Sequence, residues 1–281
     1  MTKIIAEIAS GHNGDLELAK AMIRAGAENG ADFIKFQDWR ASNVPDGDSD
    51  KNRYEKYQFP DAWYPILIPF CKEKGVQFLT TCFNADRAKF LADQGLKTIK
   101  LASISLTNHE LIKWAGAYFE HIIISTAMHN KEEIEEAINL LVTNCQKFTI
   151  MHCVANYPAK LEVSNLERIN ELKKMVVDYP QASVGFSDHS LDPQVSMAAI
   201  SMGISHLEKH FSLSRYLPQI PHEMLRGGPL VTTHQVSIEP KELRELSIWR
   251  DLVQIMYGTG EFKINTTELL IKEKYSNRYG K

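Results

Sequence analysis

A closed (β/α)8 barrel, the TIM-barrel class of α/β fold, is predicted by three observations. Short β-branched apolar runs alternate with amphipathic runs along almost all of the 281 residues, the pattern of parallel strands and their crossover helices. The alternation repeats eight times, which is the count that closes a barrel. Each apolar run also ends on a polar or charged residue, and the C-terminal strand ends are where such barrels carry their ligands.

The units follow one another with little between them. "KIIAEIA" precedes the helical "LELAKAMIRAGAENG", "DFIKFQ" leads through a polar insertion to "DAWYPILIPFCKEKG", "QFLTTCF" precedes "NADRAKFLADQG", and "TIKLAS" precedes "NHELIKWAGAYF". In the second half "HIIIST" precedes "KEEIEEAINLLVTN", "FTIMHCV" precedes "NLERINELKKMVVDYP", "SVGFSD" precedes "DPQVSMAAISMG", and "ISHLEKHF" precedes "PKELRELSIWRDLVQIMYG". Gly30, Gly75 and Gly95 mark helix ends, and Asn108, Asn165 and Asp192 are expected N-caps. Two long loops, 40–60 after the second strand and 212–239 after the eighth, are expected at the C-terminal rim as walls or lids.

Composition narrows the function. With 44% hydrophobic residues the chain can fill one large core, so a single domain over 1–281 is expected. A formal charge of -3 and the lack of any Lys/Arg block argue against nucleic acid. Cys71, Cys82, Cys145 and Cys153 form no C-x-x-C pair, and reduced thiols in a cytoplasmic protein are expected. The first apolar run is broken by Glu7 and followed by "SGHNG", too short for a signal peptide or a membrane span.

Barrel interiors are normally Val, Ile and Leu, so the polar strand ends are better explained by a ligand than by packing. They are Glu7, Lys35 and Gln37, Thr81, Lys100 and Ser103, Ser125 and Thr126, His152, Ser187 and His189, and Glu208 and His210. His189 and His210 end adjacent strands and could share one divalent ion, Asp188 and Glu208 orienting their rings; the alternative is a pair of satisfied structural histidines. Two protein ligands leave room for water and substrate, which suits a catalytic Mn²⁺ or Mg²⁺ better than a structural zinc. Lys35 and Lys100, with the hydroxyls of Thr81, Ser103 and Ser187, make a pocket for a phosphate or carboxylate. Lysines paired with Glu7, or a Schiff-base lysine, are the competing readings.

Seven segments together resemble the sialic acid synthase family, enzymes that condense phosphoenolpyruvate (PEP) with an N-acetylated aminosugar. They are "AEIASGHNGDLELAKAMIRAGAENGADFIKFQ", "FLTTCFN", "IKLASISLTNHELIK", "IIISTAMHNKEEIEEAI", "MHCVANYPA", "VGFSDHS" and "LEKHF", in the family's order from residue 4 to about 250. The resemblance implies Mn²⁺ on His189 and His210, with Mg²⁺ a second candidate. It further implies a PEP pocket of Lys35, Thr81, Lys100, Ser103 and Ser187, Glu7 near the reacting centre, and Gln37 and Tyr157 on the sugar side, with Ser105, Ser125 and His234 as further substrate contacts.

Three departures accompany the likeness. The synthases' C-terminal antifreeze-like domain has no counterpart in the sequence given, so the usual domain-swapped dimer is in question and a homo-oligomer or a separate capping polypeptide is the expected partner. Ile104 and Ser105 stand where the family has glycine and an acid that holds sugar hydroxyls. Thr233 replaces the acid of a "GPDH" motif, although His234 and Ser237 remain. The resemblance therefore implies a metal-dependent transferase joining PEP to an aldose or N-acylated aminosugar other than N-acetylmannosamine, making a sialic-acid-like 2-keto-3-deoxy sugar acid with release of phosphate. A non-catalytic anion- or sugar-binding barrel and a Schiff-base aldolase are the alternatives.

Overall fold

The computed structural model describes residues 1–48, 51–215 and 236–279. Its centre is a closed barrel of eight parallel strands in sequence order: β1 (Lys3–Ala9), β2 (Phe33–Gln37), β3 (Gln77–Cys82), β4 (Thr98–Leu101), β5 (His121–Ser125), β6 (Lys147–Cys153), β7 (Ala182–Asp188) and β8 (His206–His210). β8 pairs back onto β1, His210 opposite Glu7, and closure leaves no sheet edge exposed. The (β/α)8 fold read from the alternation is the fold observed.

Helices α1 (Leu16–Glu28), α2 (Lys51–Tyr57), α3 (Tyr64–Glu73), α4 (Ala85–Asp93), α5 (His109–Tyr118), α6 (Lys131–Asn144), α7 (Glu167–Val176), α8 (Pro193–Ser201) and α9 (Pro240–Tyr257) follow the strands, and α10 (Thr266–Tyr279) extends beyond them. The eight-unit pattern does not anticipate α2, inside the polar insertion, or α10, whose side chains are exposed where described. Neither has the apolar stripe that signals a packed helix.

One of the three expected caps needs correction. Asn108 accepts from the Leu111 amide at 3.0 Å, and Asp192 occupies the N-cap of α8 without a side-chain cap bond. Asn165 lies outside the helix, with φ 39, and Leu166 occupies the cap position. Asparagine tolerates the left-handed region, and here that tolerance turns the chain into α7. Gly30 meets two demands: its φ is +93, and an added Cβ would stand 2.5 Å from the Ser247 Cβ. All four cysteines are free and buried, and no helix among the described residues is long and apolar enough to cross a membrane.

Inward-facing residues stack in layers, because side chains alternate along each strand. At the N-terminal end His121, Thr149, Ser183 and His206 form a polar layer: Thr149 Oγ1 is 2.8 Å from His121 Nε2, 2.8 Å from Ser183 Oγ and 3.3 Å from His206 Nδ1. Ile5, Phe33, Leu79, Ile123 and Met151 form the apolar layer above it. Gly185 belongs to that level, where a Cβ would approach the Met151 methyl to 3.0 Å and the His206 carbonyl to 2.8 Å. The next inward positions carry the polar strand ends.

An ion-pair network fixes the insertion after β2 to this rim. Arg87 Nε lies 2.8 Å from Asp38 Oδ2, and its Nη2 lies 2.7 Å from Asp61 Oδ1. Arg40 bridges the same two carboxylates. After β8, Arg215 donates to the Ser237 carbonyl and to Glu242, both at the near end of α9. The "RGGPLVTTH" part of the 212–239 loop, which includes Thr233 and His234, lies outside the described residues.

Candidate active site

Period-two alternation selects which polar strand ends face inward. Glu7, Lys35, Gln37, Thr81, Lys100, Ser125, Ser187, His189, Glu208 and His210, with Ser103 from the 3-10 turn after β4 and Tyr157 from the loop after β6, line one small cavity of about 80 Å³ at the C-terminal end of the barrel. Cys153, Phe83 and Ala102 complete the lining. Cys153 is the inward residue at the end of β6, and counting two residues on from Met151 would have found it. Its thiol is pushed up to about 11 by burial, with the Lys100 charge opposing.

Three expected residues lie outside the cavity, His152 and Thr126 by parity and Ser105 through the turn after β4. His152 faces outward, stacks on Phe186 with ring centroids 5.4 Å apart, and bonds the Ser164 carbonyl at 2.8 Å. Thr126 donates to the Met151 carbonyl at 3.0 Å and shares with His152 a separate cavity between α6 and α7. Ser105 is buried but lines no part of the site. It sits two residues from Ser103 on a 3-10 turn, where about three residues complete a revolution, so the two side chains cannot face the same way. Ile104 between them is 70% exposed at the rim.

Four ionisable groups meet in the cavity. Lys35 Nζ lies 2.5 Å from Glu7 Oε2 and 3.6 Å from Glu208 Oε2, and donates to Thr81 Oγ1 at 3.1 Å. Lys100 Nζ donates to Ser125 Oγ at 2.6 Å and to the Leu101 carbonyl, and lies 3.9 Å from Glu208 Oε1, which accepts from Ser187 Oγ at 3.0 Å. The lysines therefore have carboxylate countercharge, including the pairing with Glu7 that was one of the competing readings. The pairing is incomplete: both Glu7 oxygens and Glu208 Oε2 accept no aligned hydrogen bond among the described residues, Glu7 Oε2 touching Lys35 only as an ion pair. Buried acceptors in that state favour a proton or a ligand.

The electrostatics follow from burial. Glu7 is pushed up to about 7 by loss of solvent and by Glu208, against the pull of Lys35. Burial also works against the charge on Glu208, but Lys100 and Lys35 outweigh it and hold the carboxyl below its ordinary value. Burial likewise opposes the charge on Lys35; Glu208 and Glu7 overcome it, and its ammonium lies above the usual range. Lys100 lies below its range, because burial and repulsion from Lys35 exceed the attraction of Glu208.

His189 and His210 stand together at the mouth, ring centroids 5.5 Å apart. Tyr157 stacks on His189 at 4.0 Å and meets His210 edge-on at 5.9 Å. Burial holds His189 down to about 4, against the opposing pull of the Val154 carbonyl, so its imidazole is neutral at physiological pH. Nδ1 lies 2.7 Å from that carbonyl, which assigns the proton to Nδ1 and leaves the Nε2 lone pair available. Two imidazoles bound to one ion at about 2.1 Å place their centroids no more than roughly 6.5 Å apart, so the observed separation fits a shared divalent ion. Among the described residues no group of three or more His, Cys, Asp and Glu is arranged for a metal, so further positions on such an ion would fall to water or substrate. The His189 ring is oriented by the Val154 carbonyl and not by Asp188 or Glu208. Asp188 faces outward to the Ser190 amide at 2.7 Å, the Ser196 hydroxyl at 2.5 Å and Lys209 at 3.0 Å. Glu208 is held by Ser187 and the two lysines.

An open groove of about 500 Å³ adjoins the cavity through Cys153 and is lined by Met128, Asn156, Val163 and Arg168 among others. A groove of similar size, about 560 Å³, lies at the opposite end of the barrel. There Thr2 donates to the Ile204 carbonyl and Ser205 to that of Val184, and among the described residues Lys173 is the one charged side chain in its lining.

A model described as the NeuB family matches residues 22–262. N,N'-diacetyllegionaminic acid synthase of Campylobacter jejuni serotype O:2 is 34% identical, over 95% of this chain and 80% of the relative. The enzyme of the same name from Legionella pneumophila is 30% identical over 96% and 77%. The crystal structure of N-acetylneuraminic acid (sialic acid) synthetase from Leptospira borgpetersenii in complex with citrate superposes with a TM-score of 0.84 at 27% identity, covering 98% of this chain and 91% of that one. The family model spans most of the chain, these relatives match it nearly end to end, and the chain belongs to the NeuB family.

Proposed function

We propose that this protein condenses phosphoenolpyruvate with an N-acylated aminosugar aldehyde to give a sialic-acid-like 2-keto-3-deoxy sugar acid and phosphate. One observation carries the reading: two buried lysines and two incompletely paired carboxyls converge beneath a pair of buried histidines, in a cavity that opens on a sugar-sized groove. Relatives named as synthases of N,N'-diacetyllegionaminic acid support a diacylated product class.

Lys35 and Lys100 bind the phosphate and carboxylate of PEP, helped by the Thr81, Ser103 and Ser187 hydroxyls. The acceptor lies above, toward Gln37, Tyr157 and the groove. Holding the two reactants in adjoining compartments lowers the entropic cost of their encounter. C3 of PEP attacks the aldehyde carbon, forming the C–C bond while the aldehyde oxygen takes up a proton. Water adds at C2, and cleavage of the C2–O bond releases phosphate and leaves the ketone. Glu7, with a carboxyl near 7, exchanges a proton at neutral pH and faces the reacting atoms. His189 and His210 would hold the divalent ion, Mn²⁺ or Mg²⁺, which when bound supplies Lewis acidity toward the aldehyde oxygen or the water.

The test is phosphate release from PEP with Mn²⁺ against a panel of aldoses and N-acylated aminosugars, with product mass as a second readout. Release with a diacylated aminosugar in preference to N-acetylmannosamine is expected. Silence across the panel overturns the reading. One observation favours a Schiff-base aldolase instead, the lowered Lys100 ammonium beside a second cation; borohydride trapping of a keto acid on Lys100 would decide for it.

A further inference from the structure

We propose that Trp39 is a positioning residue that holds the Gln37 side-chain amide in one orientation, its NH2 group turned into the mouth of the cavity as a donor to an oxygen of the aldehyde substrate. The role given to the substrate rests on the proposed function; the orientation does not.

The two ends of a glutamine amide are nearly identical in shape and opposite in hydrogen bonding, so a neighbour must decide which end faces a site. At Gln37 that neighbour is an indole. Trp39 Nε1 lies 3.2 Å from Gln37 Oε1, and an indole N–H can only donate. A flipped amide would set two donors against each other, so the atom facing Trp39 is the oxygen. The NH2 end then belongs to the cavity, which Gln37 lines.

Trp39 is itself held on both sides. Its ring meets Tyr54 of α2 edge-on, centroids 4.2 Å apart and planes at 80°. Asp38, between Trp39 and Gln37 in the chain, is fixed by Arg40 and Arg87. The insertion after β2 thus acts on the site through an indole, without entering it. Gln37 can consequently read an acceptor oxygen on the substrate and not a hydroxyl hydrogen, whereas Glu7 and Glu208 elsewhere in the cavity present acceptors.

Trp39→Phe keeps an aromatic ring against Tyr54 and deletes the N–H. The expected result is a rise of about 5–10-fold in KM for the aldehyde, the effect of one neutral hydrogen bond, with kcat and KM for PEP within about twofold. Gln37→Ala should raise the same KM at least as far, and Trp39→Phe should add nothing in that background. An indole acting only as packing would instead lower the melting temperature and act additively, which would overturn the proposal. A second measurement needs no turnover: in a ¹⁵N-tryptophan-labelled protein, Gln37→Ala should move the Trp39 indole N–H resonance and leave the other three tryptophans in place. An unmoved resonance sinks the proposal. A wild-type protein that releases no phosphate but shows the shift supports the orientation and refutes the reading of the reaction.

Discussion

The barrel carries two polar layers, one at each end, and each contains a pair of buried histidines at nearly the same separation: 5.3 Å between the rings of His121 and His206, 5.5 Å between those of His189 and His210. Their surroundings differ. At the N-terminal end the histidines join Thr149, Ser183 and Ser205 in a chain of neutral hydrogen bonds that satisfies its own members. At the C-terminal end four charged groups lie beneath the pair, and three carboxylate oxygens accept no aligned hydrogen bond among the described residues. A buried histidine pair therefore does not itself mark a site; incomplete polar satisfaction beside a cavity does.

The strongest way to break this contrast is to remove a charge from the upper layer. Lys35→Met should lower phosphate release by about 10²–10³-fold, the scale of losing one preorganised electrostatic group. It should also cost stability, because Glu7 and Glu208 lose their shared partner. Lys100→Ala should weaken PEP binding by on the order of 2–5 kcal/mol while leaving aldehyde affinity nearly intact. An unchanged PEP titration would remove the anion assignment from these lysines.

Next in size is the exchange of roles between the histidine pairs. His189→Ala or His210→Ala should abolish stoichiometric Mn²⁺ binding, measured by calorimetry or metal analysis. His121→Gln should bind the metal like the wild type. If the lower-layer variant lost the ion and the upper-layer variants kept it, the assignment would be reversed.

The lower layer should also show in a pH effect. Burial holds His121 down to about 3 and His206 to about 4, below their unfolded value near 6.5. Between those values the unfolded chain binds protons that the native state refuses, so stability falls as pH drops from about 6.5 toward 4. His121→Gln should flatten that slope, recovering on the order of 2 kcal/mol at pH 5 relative to its effect at pH 7. Parallel denaturation curves for wild type and variant across this range would contradict it.

The smallest effect sharpens the division between inward and outward faces. His152→Gln, outside the barrel lumen, should leave phosphate release within about twofold and cost about 1 kcal/mol through its bond to the Ser164 carbonyl. A large loss of turnover at normal stability would mean that His152 reaches the reacting groups.

Much of this was legible in the sequence. The alternation gave eight strands within a residue or two of their observed ends, because a β/α unit writes its period locally. Parity along a strand is local as well: His152 and Thr126 could have been set aside, and Cys153 added, by counting in twos from the apolar layer. Ser105 fell to a different cause, the 3-10 turn after β4, which breaks the strand's alternation just where the site begins.

The order of elements, the chemistry available at each strand end, and the family motifs that bind these ends into one expectation are all written along the chain. How those groups share their charge and hydrogen bonds emerges only on folding. Glu7 and Glu208 stand on strands separated by about two hundred residues, and they meet Lys35 only because β8 closes on β1. The raised Glu7 carboxyl, the commitment of Asp188 to Lys209 and the donor end of Gln37 all depend on distances of a few ångströms set by that closure. Burial and electrostatic coupling act through space, and the spacing of residues along the chain carries no record of them.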